Sequence, residues 1–489
     1  MKKLMDLIFH PFDGDWDGAA REAFESLFEG GRYGKRAASK VHPRINASAK
    51  PNNVPFAALI SPDQPDTGPY GGMSFVLFPS REDRPGLVSL VVGTNGLQPD
   101  EEILSRPGHA RKCAALSRWL NHRSQRQAVW AKRDPSRIDL SLPQTVQQDL
   151  RGKEGQFEGV IQRYGHVIYL LYMPPKERDA AEVEVALRSF LDLFMEERGQ
   201  LPLKGYHESY LEDQRQWLEH VLPDCDEGHL ADLLGLRRYV ILEGPPGTGK
   251  TRMARRLLAE TYQGRGMSIQ FHPSTTYEEF VGGLAPVPAR GEAGLQFSPK
   301  PGFLMEAVRY CLEKPDQPFL LHVDEINRAD LSKVLGEAVF LFEVDEPDRV
   351  VQLAHDFGAD FRQGLRIPQN LHLLGTMNSA DRSIAILDLA IRRRFAFVRL
   401  WPQAEVVKRH GESIGQEAFH RLFRVFLEFA PDEAFDLMPG HGYFLVADDR
   451  ARDVLSTGVA PLLQEYLKQG YVAGFEDEIR AYLDWLDAL

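Results

Sequence analysis

Gly244-Pro245-Pro246-Gly247-Thr248-Gly249-Lys250-Thr251 is the densest chemical signal in the chain. It fits the whole Walker A pattern, follows the apolar run Tyr239–Leu242, and opens a helix predicted over Met253–Thr261. Glycines at those positions let the backbone wrap a phosphate, so that amide N–H groups and a helix N-terminus face negative charge. Lys250 has the reach and charge for the β- and γ-phosphates, and the Thr251 hydroxyl is a Mg²⁺ ligand. Arg252, the next residue, joins the nucleotide-binding set. An ordinary Gly/Pro-rich turn lacks both flanks.

Phe319-Leu-Leu-His-Val-Asp324-Glu325 supplies the complement. Asp324 would hold Mg²⁺ through water and Glu325 would polarise the attacking water. An apolar run ending in two acids is weak evidence alone, because strands often end in solvated carboxylates. Downstream of a Walker A loop it becomes strong. The next apolar run ends in Gly375-Thr-Met-Asn378-Ser-Ala-Asp381-Arg382-Ser383. Asn378, at the tip of a buried strand beside the two acids, suits a group that orients water near the γ-phosphate. It could also cap a helix beginning near Ser383. Arg392-Arg393-Arg394 could be a solvated charge run. In ring-forming P-loop ATPases this place lies at the subunit edge, where an arginine stabilises charge on a neighbour's nucleotide, and Arg393 and Arg394 are the candidates.

These groups need a scaffold. From Tyr239 short apolar strands alternate with helices: Tyr239–Leu242, Met267–Phe271, Phe319–Val323, Leu371–Thr376 and Phe395–Leu400, with helices starting near Lys250, Phe303 and Asp330. That alternation predicts an α/β fold with a parallel sheet flanked by helices. After Trp401 the pattern is mainly helical and predicts a lid. Residues 1–205 read as a separate α+β domain. Its predicted strands are Val54–Ile60, Met73–Phe78, Leu87–Val92 and Val167–Tyr172; its predicted helices are Trp16–Phe28, Gly108–Trp130 and Glu182–Arg198. The expected division is 1–205, a helical connector at 206–236, the α/β core at 237–402, and the lid at 403–489.

A length of 489 residues exceeds one compact core, and 43% hydrophobic with 26% charged residues is ordinary for a globular protein. No apolar run is long enough for a bilayer, and Asp6 and His10 break the N-terminal apolar stretch. Cys113, Cys225 and Cys311 are too scattered for a zinc site or a disulfide framework. The expectation is a cytoplasmic protein with no membrane partner. The net charge is −12, yet residues 1–200 are close to neutral and the acidic excess lies beyond them. Arg106, Arg111, Lys112, Arg118, Arg123, Arg126, Lys132, Arg133 and Arg137 are opposed only by Asp134; Arg32, Lys35, Arg36, Lys40, Arg44 and Lys50 form a second basic stretch. An anionic macromolecule would meet this half first.

The second half resembles one branch of the AAA+ proteins, the McrB-like motor subunits of methylation-dependent restriction systems. The likeness rests on Gln270-Phe-His272; Tyr277-Glu-Glu-Phe280 with Gly282; Asp324-Glu-Ile-Asn327-Arg328-Ala-Asp-Leu-Ser-Lys333 with Gly336-Glu337; Met377-Asn-Ser-Ala-Asp-Arg-Ser383; Gly440-His441-Gly-Tyr443-Phe444; and Pro461-Leu-Leu-Gln-Glu-Tyr466. It spans roughly Arg238 to Tyr466, about half the chain. Ser379 stands where the family's signature has Thr, and Gly442 where its lid motif has Ser. The resemblance implies an AAA+ core with a helical lid, a homo-oligomeric ring (a hexamer), Mg²⁺-dependent hydrolysis of ATP or GTP, and a separate McrC-like endonuclease that stimulates hydrolysis. By the same analogy Asn327, Asp381, Arg382 and the arginines near 393 join the active site or its subunit interface.

Residues 1–200 loosely resemble an N-terminal domain seen on some McrB-like proteins, which implies recognition of modified DNA or of a partner protein. On the DNA reading the basic residues 106–137 contact phosphates, with Trp119 and Trp130 available for stacking. On the alternative they form a solvated helix face with both tryptophans in the core. No Glu-x-Lys occurs, so cleavage would fall to a partner. The competing reading of the whole is a MoxR-like protein-remodelling ATPase that never touches DNA; a weaker one is a regulatory nucleotide switch, against which Glu325 and Asn378 count.

Overall fold

The computed structural model describes residues 1–48, 53–80, 84–152, 157–176, 179–223, 225–288, 295–381 and 389–489. The chain divides into two compact units, Met1–Pro223 with Leu427–Phe429, and Asp224–Phe426 with Ala430–Leu489. Among the described residues no helix is long and apolar enough to cross a membrane.

In the first unit six strands form one antiparallel sheet: β1 His42–Asn46, β2 Phe56–Ile60, β3 Met73–Phe78, β4 Leu87–Val92, β5 Val129–Ala131 and β6 Ile168–Tyr172, in the order β1-β2-β3-β4-β6-β5. Every residue of β2, β3, β4 and β6 is buried, because runs such as Phe-Ala-Ala-Leu-Ile and Leu-Val-Ser-Leu-Val-Val are apolar on both faces. The helix Ala180–Glu196 starts where Asp179 accepts two backbone N–H bonds at 3.1 Å, and it packs on β3 and β4 with Phe194 against Phe75 and Phe190 against Tyr172.

The predicted helix Gly108–Trp130 is shorter. It runs Pro107–Ser124 and stops at Gln125, whose φ is 53°. The Asn121 carboxamide then pairs with both backbone groups of Val129, at 2.9 and 2.7 Å, and turns the chain into β5. A side chain that satisfies a backbone N–H and C=O replaces the helical bonds that those residues would otherwise make. β1 and β5 carry no apolar run long enough to betray them.

The second unit holds a five-stranded parallel sheet: β7 Tyr239–Gly244, β8 Gly266–Gln270, β11 Phe319–Asp324, β12 Leu371–Asn378 and β13 Ala396–Arg399, in the order β13-β7-β12-β11-β8. Two more strands, β9 Gly282–Pro288 and β10 Leu295–Pro301, pair antiparallel in a hairpin that the sequence pattern did not reveal. Alternate residues along each parallel strand point to opposite faces. Tyr239, Ile241, Leu321, Val323, Leu371 and Leu373 therefore join one apolar core, and Val240, Leu242, Leu320 and Leu374 the other. All five strands run the same way, so their C-terminal ends share one edge, the edge at which open α/β sheets bind ligands. The lid contributes helices Ala404–His410, Ser413–Phe429, Ala451–Lys468 and Glu476–Asp487 and a 3₁₀ turn His441–Phe444.

Candidate nucleotide site

Register brings the chemistry together. β7 ends at Gly244, whose register partner on β12 is Asn378, and β11 ends at Asp324 beside β12. Gly244 is a glycine by necessity, since a Cβ there would fall 2.2 Å from the Leu400 carbonyl oxygen. Gly247 and Gly249 both take φ = 82°, the left-handed region that glycine enters without a Cβ penalty. The helix Lys250–Arg256 begins directly after Gly249.

Lys250 is buried, and its Nζ donates to the carbonyls of Gly244 (2.9 Å) and Pro245 (2.8 Å), while Thr248 Oγ1 donates to Pro245 at 2.9 Å. Burial pushes the ammonium down to about 8, against the pull of the Glu325 and Asp324 carboxylates. Thr251 Oγ1 donates to Asp324 Oδ1 at 3.0 Å. Thr376, which the sequence reading did not single out, bridges the acids: its hydroxyl donates to Asp324 Oδ1 and accepts the Glu325 N–H at 3.4 Å. Position 376 lies two residues before Asn378 on one strand, so both side chains share a face. That spacing was the available signal.

Glu325 sits in the left-handed region at φ = 53°, a conformation that costs a non-glycine residue about 1 kcal/mol or more. There its Oε1 accepts from Asn378 Nδ2 at 2.7 Å and its Oε2 faces Arg328 at 3.4 Å. A carboxylate held at a strand tip by an amide donor, beside a second carboxylate held by two hydroxyls, can orient water next to a phosphate cradle. Thr251 and Asp324 present adjacent hard oxygens, a donor set that fits Mg²⁺, which takes few protein ligands and keeps its waters.

The remaining predicted residues are placed unequally. Asn327 is buried in the turn Ile326–Arg328, and among the described residues its Oδ1 has no hydrogen-bond partner. Asp381, with Pro246, Asn378 and Tyr466, lines a cavity of about 310 Å³. Arg252 is exposed on the first turn after the loop. Arg382 and the expected helix start at Ser383 lie outside the described residues. Arg393 and Arg394 part company within one short helix, Leu389–Arg394: Arg393 is 66% exposed, whereas the Arg394 side chain is 1% exposed and pairs with Glu343 at 2.9 Å. Glu343 thus faces both arginines, Arg394 from the interior and Arg393 from the surface at 3.7 Å.

In the first unit the basic run is not one solvated face. Lys112 is buried against Glu197 at 3.1 Å, and Lys132 is buried with its Nζ donating to the carbonyls of Arg137, Leu140 and His166 at 3.1, 2.8 and 2.8 Å. Burial pushes Lys132 down to about 8. Trp119 is in the core and Trp130 is half-buried on β5. Arg32 is also buried, paired with Asp192 at 2.7 Å. Within the run 106–137 the arginines left exposed are Arg118, Arg123, Arg126, Arg133 and Arg137, so the expected combination of nine basic residues with two stacking tryptophans is reduced to this smaller set. Lys50 lies outside the described residues.

Residues 239–395 match the model of the AAA domain (dynein-related subfamily). The chain is 28% identical over 354 residues to the type IV methyl-directed restriction enzyme EcoKMcrB subunit of Escherichia coli, an alignment that covers 66% of this chain and 75% of that protein. It is 27% identical over 199 residues to the type II restriction enzyme BsuMI component YdiS of Bacillus subtilis, covering 34% of this chain and 57% of that one. Among solved structures, NtrX from Brucella abortus matches 57% of this chain and 58% of its own at 14% identity and a TM-score of 0.24, an overlay too loose to carry weight.

Proposed function

We propose that this chain, a McrB-like AAA+ protein, hydrolyses ATP or GTP with Mg²⁺ in a homo-oligomeric ring and drives a partner nuclease of a restriction system. The observation that carries the enzymatic reading is the cluster at the sheet edge: Lys250 in its glycine loop, Thr251 and Asp324 joined at 3.0 Å, and Glu325 held by Asn378 at 2.7 Å. In this reading the loop amides and Lys250 bind the phosphates, Thr251 and Asp324 hold Mg²⁺, and Glu325 orients and polarises the water. Mg²⁺ bound there neutralises charge on the phosphate oxygens. In the same reading Asn327 and Asp381 assist at the γ-phosphate, and Arg393, exposed at the end of its helix, serves the neighbouring subunit.

The system-level reading is supported by the two restriction-enzyme relatives, and by an alignment to the first of them that extends well beyond the AAA domain. An McrC-like endonuclease is the partner this implies, and the first unit is the recognition module. With Lys112, Lys132 and Trp119 buried, a DNA contact there would fall to Arg118, Arg123, Arg126, Arg133 and Arg137, and a protein partner is the other reading. The protein-remodelling alternative shares the same site.

Mixed oligomers test the catalytic arrangement. Arg393→Ala and Glu325→Gln are each expected to be inactive alone. Mixed together, hydrolysis should return, because some sites combine an intact Glu325 with an intact Arg393 from the adjacent subunit. Absence of any recovery in demonstrably mixed oligomers overturns the trans arrangement. Binding of the full chain to modified and plain duplexes across a salt series then separates the two system readings: no salt-dependent affinity for either favours protein remodelling.

A further inference from the structure

Two backbone hydrogen bonds join the lid to the phosphate loop. Gly440 N–H donates to the Pro246 carbonyl and Gly442 N–H to the Gly247 carbonyl, each at 2.9 Å. The approach leaves no room for a Cβ at Gly440 or Gly247 and is tight at Gly442. A Cβ on Gly440 would lie 2.1 Å from the Gly247 carbonyl carbon and 2.4 Å from Thr248 N; one on Gly442 would lie 3.0 Å from Gly247 O; one on Gly247 would strike the Tyr443 ring at 2.8 Å. Between the two glycines, His441 is buried and its Nδ1 accepts the Gln403 N–H at 3.2 Å, which pins the segment just after β13.

A trans peptide is planar, with its C=O and the following N–H pointing in opposite directions. The Pro246 carbonyl shares a peptide with the Gly247 N–H, and the Gly247 carbonyl shares one with the Thr248 N–H. Drawing both carbonyls toward the lid therefore turns these two N–H groups the other way. Gly244 and Pro245 have their carbonyls held by Lys250, so four successive carbonyls of the loop are tied, two from inside and two from the lid. Glycine at 247, free in φ, would otherwise let these peptides rotate.

We infer that Gly440 and Gly442 are positioning residues: the lid segment Gly440–Tyr443 sets the orientation of the Gly247 and Thr248 amides for phosphate, so that lid docking and triphosphate binding are coupled. This rests on the reading of the loop as a nucleotide site and goes beyond it by making the lid part of the phosphate cradle. Coupling is reciprocal, so bound nucleotide must stabilise the docked lid segment by the same factor that docking strengthens binding.

The test uses the full chain with Mg²⁺ and fluorescent ATP and GTP analogues. Hydrogen bonds to a charged group contribute enough that misdirecting one amide weakens binding roughly tenfold or more. Gly440→Ala is expected to lose triphosphate affinity by that factor or more and Gly442→Ala by less, in proteins whose circular dichroism is that of the wild type. The second arm is hydrogen exchange in the unaltered protein, which no folding defect can confound: saturating Mg²⁺–nucleotide should slow exchange at the amides of residues 440–444. A purely structural contact would exchange at the same rate with and without nucleotide. Unchanged exchange there under saturation overturns the inference, as does wild-type affinity in both alanine variants. If the unaltered chain binds neither nucleotide, the nucleotide reading itself fails and this inference falls with it.

Discussion

Asn378→Ala isolates the group that aims Glu325. In the native arrangement Asn378 Nδ2 donates to Glu325 Oε1 at 2.7 Å, while Arg328 faces the other carboxylate oxygen at 3.4 Å. Removing the amide leaves Arg328 as the nearer claimant, and the carboxylate is free to swing toward it. A hydrogen bond to a charged group contributes about 1.5–3 kcal/mol. If that energy is used to hold the carboxylate toward the water, the hydrolysis rate falls roughly ten- to a hundredfold. Phosphate binding rests on the loop and Lys250, so nucleotide affinity should stay within about twofold of wild type. The assay is steady-state hydrolysis by phosphate release, alongside equilibrium binding of a fluorescent nucleotide. Undiminished hydrolysis, or a rate loss matched by an equal loss of affinity, would refute the assignment of Asn378 as the residue that positions Glu325.

Arg394→Ala breaks a pair in which the guanidinium is almost wholly buried, and should lower unfolding free energy by about 3 kcal/mol, whereas Arg393→Ala should leave the melting temperature within about a degree. Chemical denaturation of both variants checks this; equal effects would contradict the inward and outward placement. Lys132→Met leaves three carbonyls without their ammonium, so the first unit should lose about 2 kcal/mol or more, read as an earlier thermal transition. His372 and His441 are both pushed down to about 4, chiefly by burial, with Arg238 and Arg252 respectively adding to it. Their folded forms therefore stay neutral while the unfolded chain takes up protons below pH 6.5. Stability is full above pH 6.5 and falls as pH drops toward 4, by at most about 3 kcal/mol for each group. His372→Gln should flatten that slope between pH 6.5 and 4.5 in urea titrations, and an unchanged slope would contradict the assignment.

What could be read from residues alone was whatever is local. The parallel strands announce themselves as short apolar runs, and the loop between β7 and the helix Lys250–Arg256 carries its glycines in one uninterrupted stretch. The hairpin β9–β10 was hidden because Pro286, Pro288, Pro299 and Pro301 argue against strands, and only a two-stranded ribbon with free edges tolerates them. Thr376 escaped notice because its partners, Asp324 and Glu325, lie on the neighbouring strand. Arg393 and Arg394 are alike in sequence, and adjacent helical residues point about 100° apart, so the phase of a six-residue helix decides which faces out. Lys112 and Lys132 looked solvated because their partners, Glu197 and three loop carbonyls, are distant or carry no charge. The lid contact was equally invisible, since glycines in two segments nearly 200 residues apart declare their purpose only when the backbones meet.

The central claim is that Glu325 activates water at a site where Lys250 and the loop hold the triphosphate. Single-turnover hydrolysis by Glu325→Gln, with bound nucleotide measured in the same samples, tests it most directly. The account predicts wild-type loading and a rate at least about a hundredfold lower, so that the triphosphate stays trapped on the protein. Hydrolysis at the wild-type rate in a fully loaded Glu325→Gln protein would contradict it.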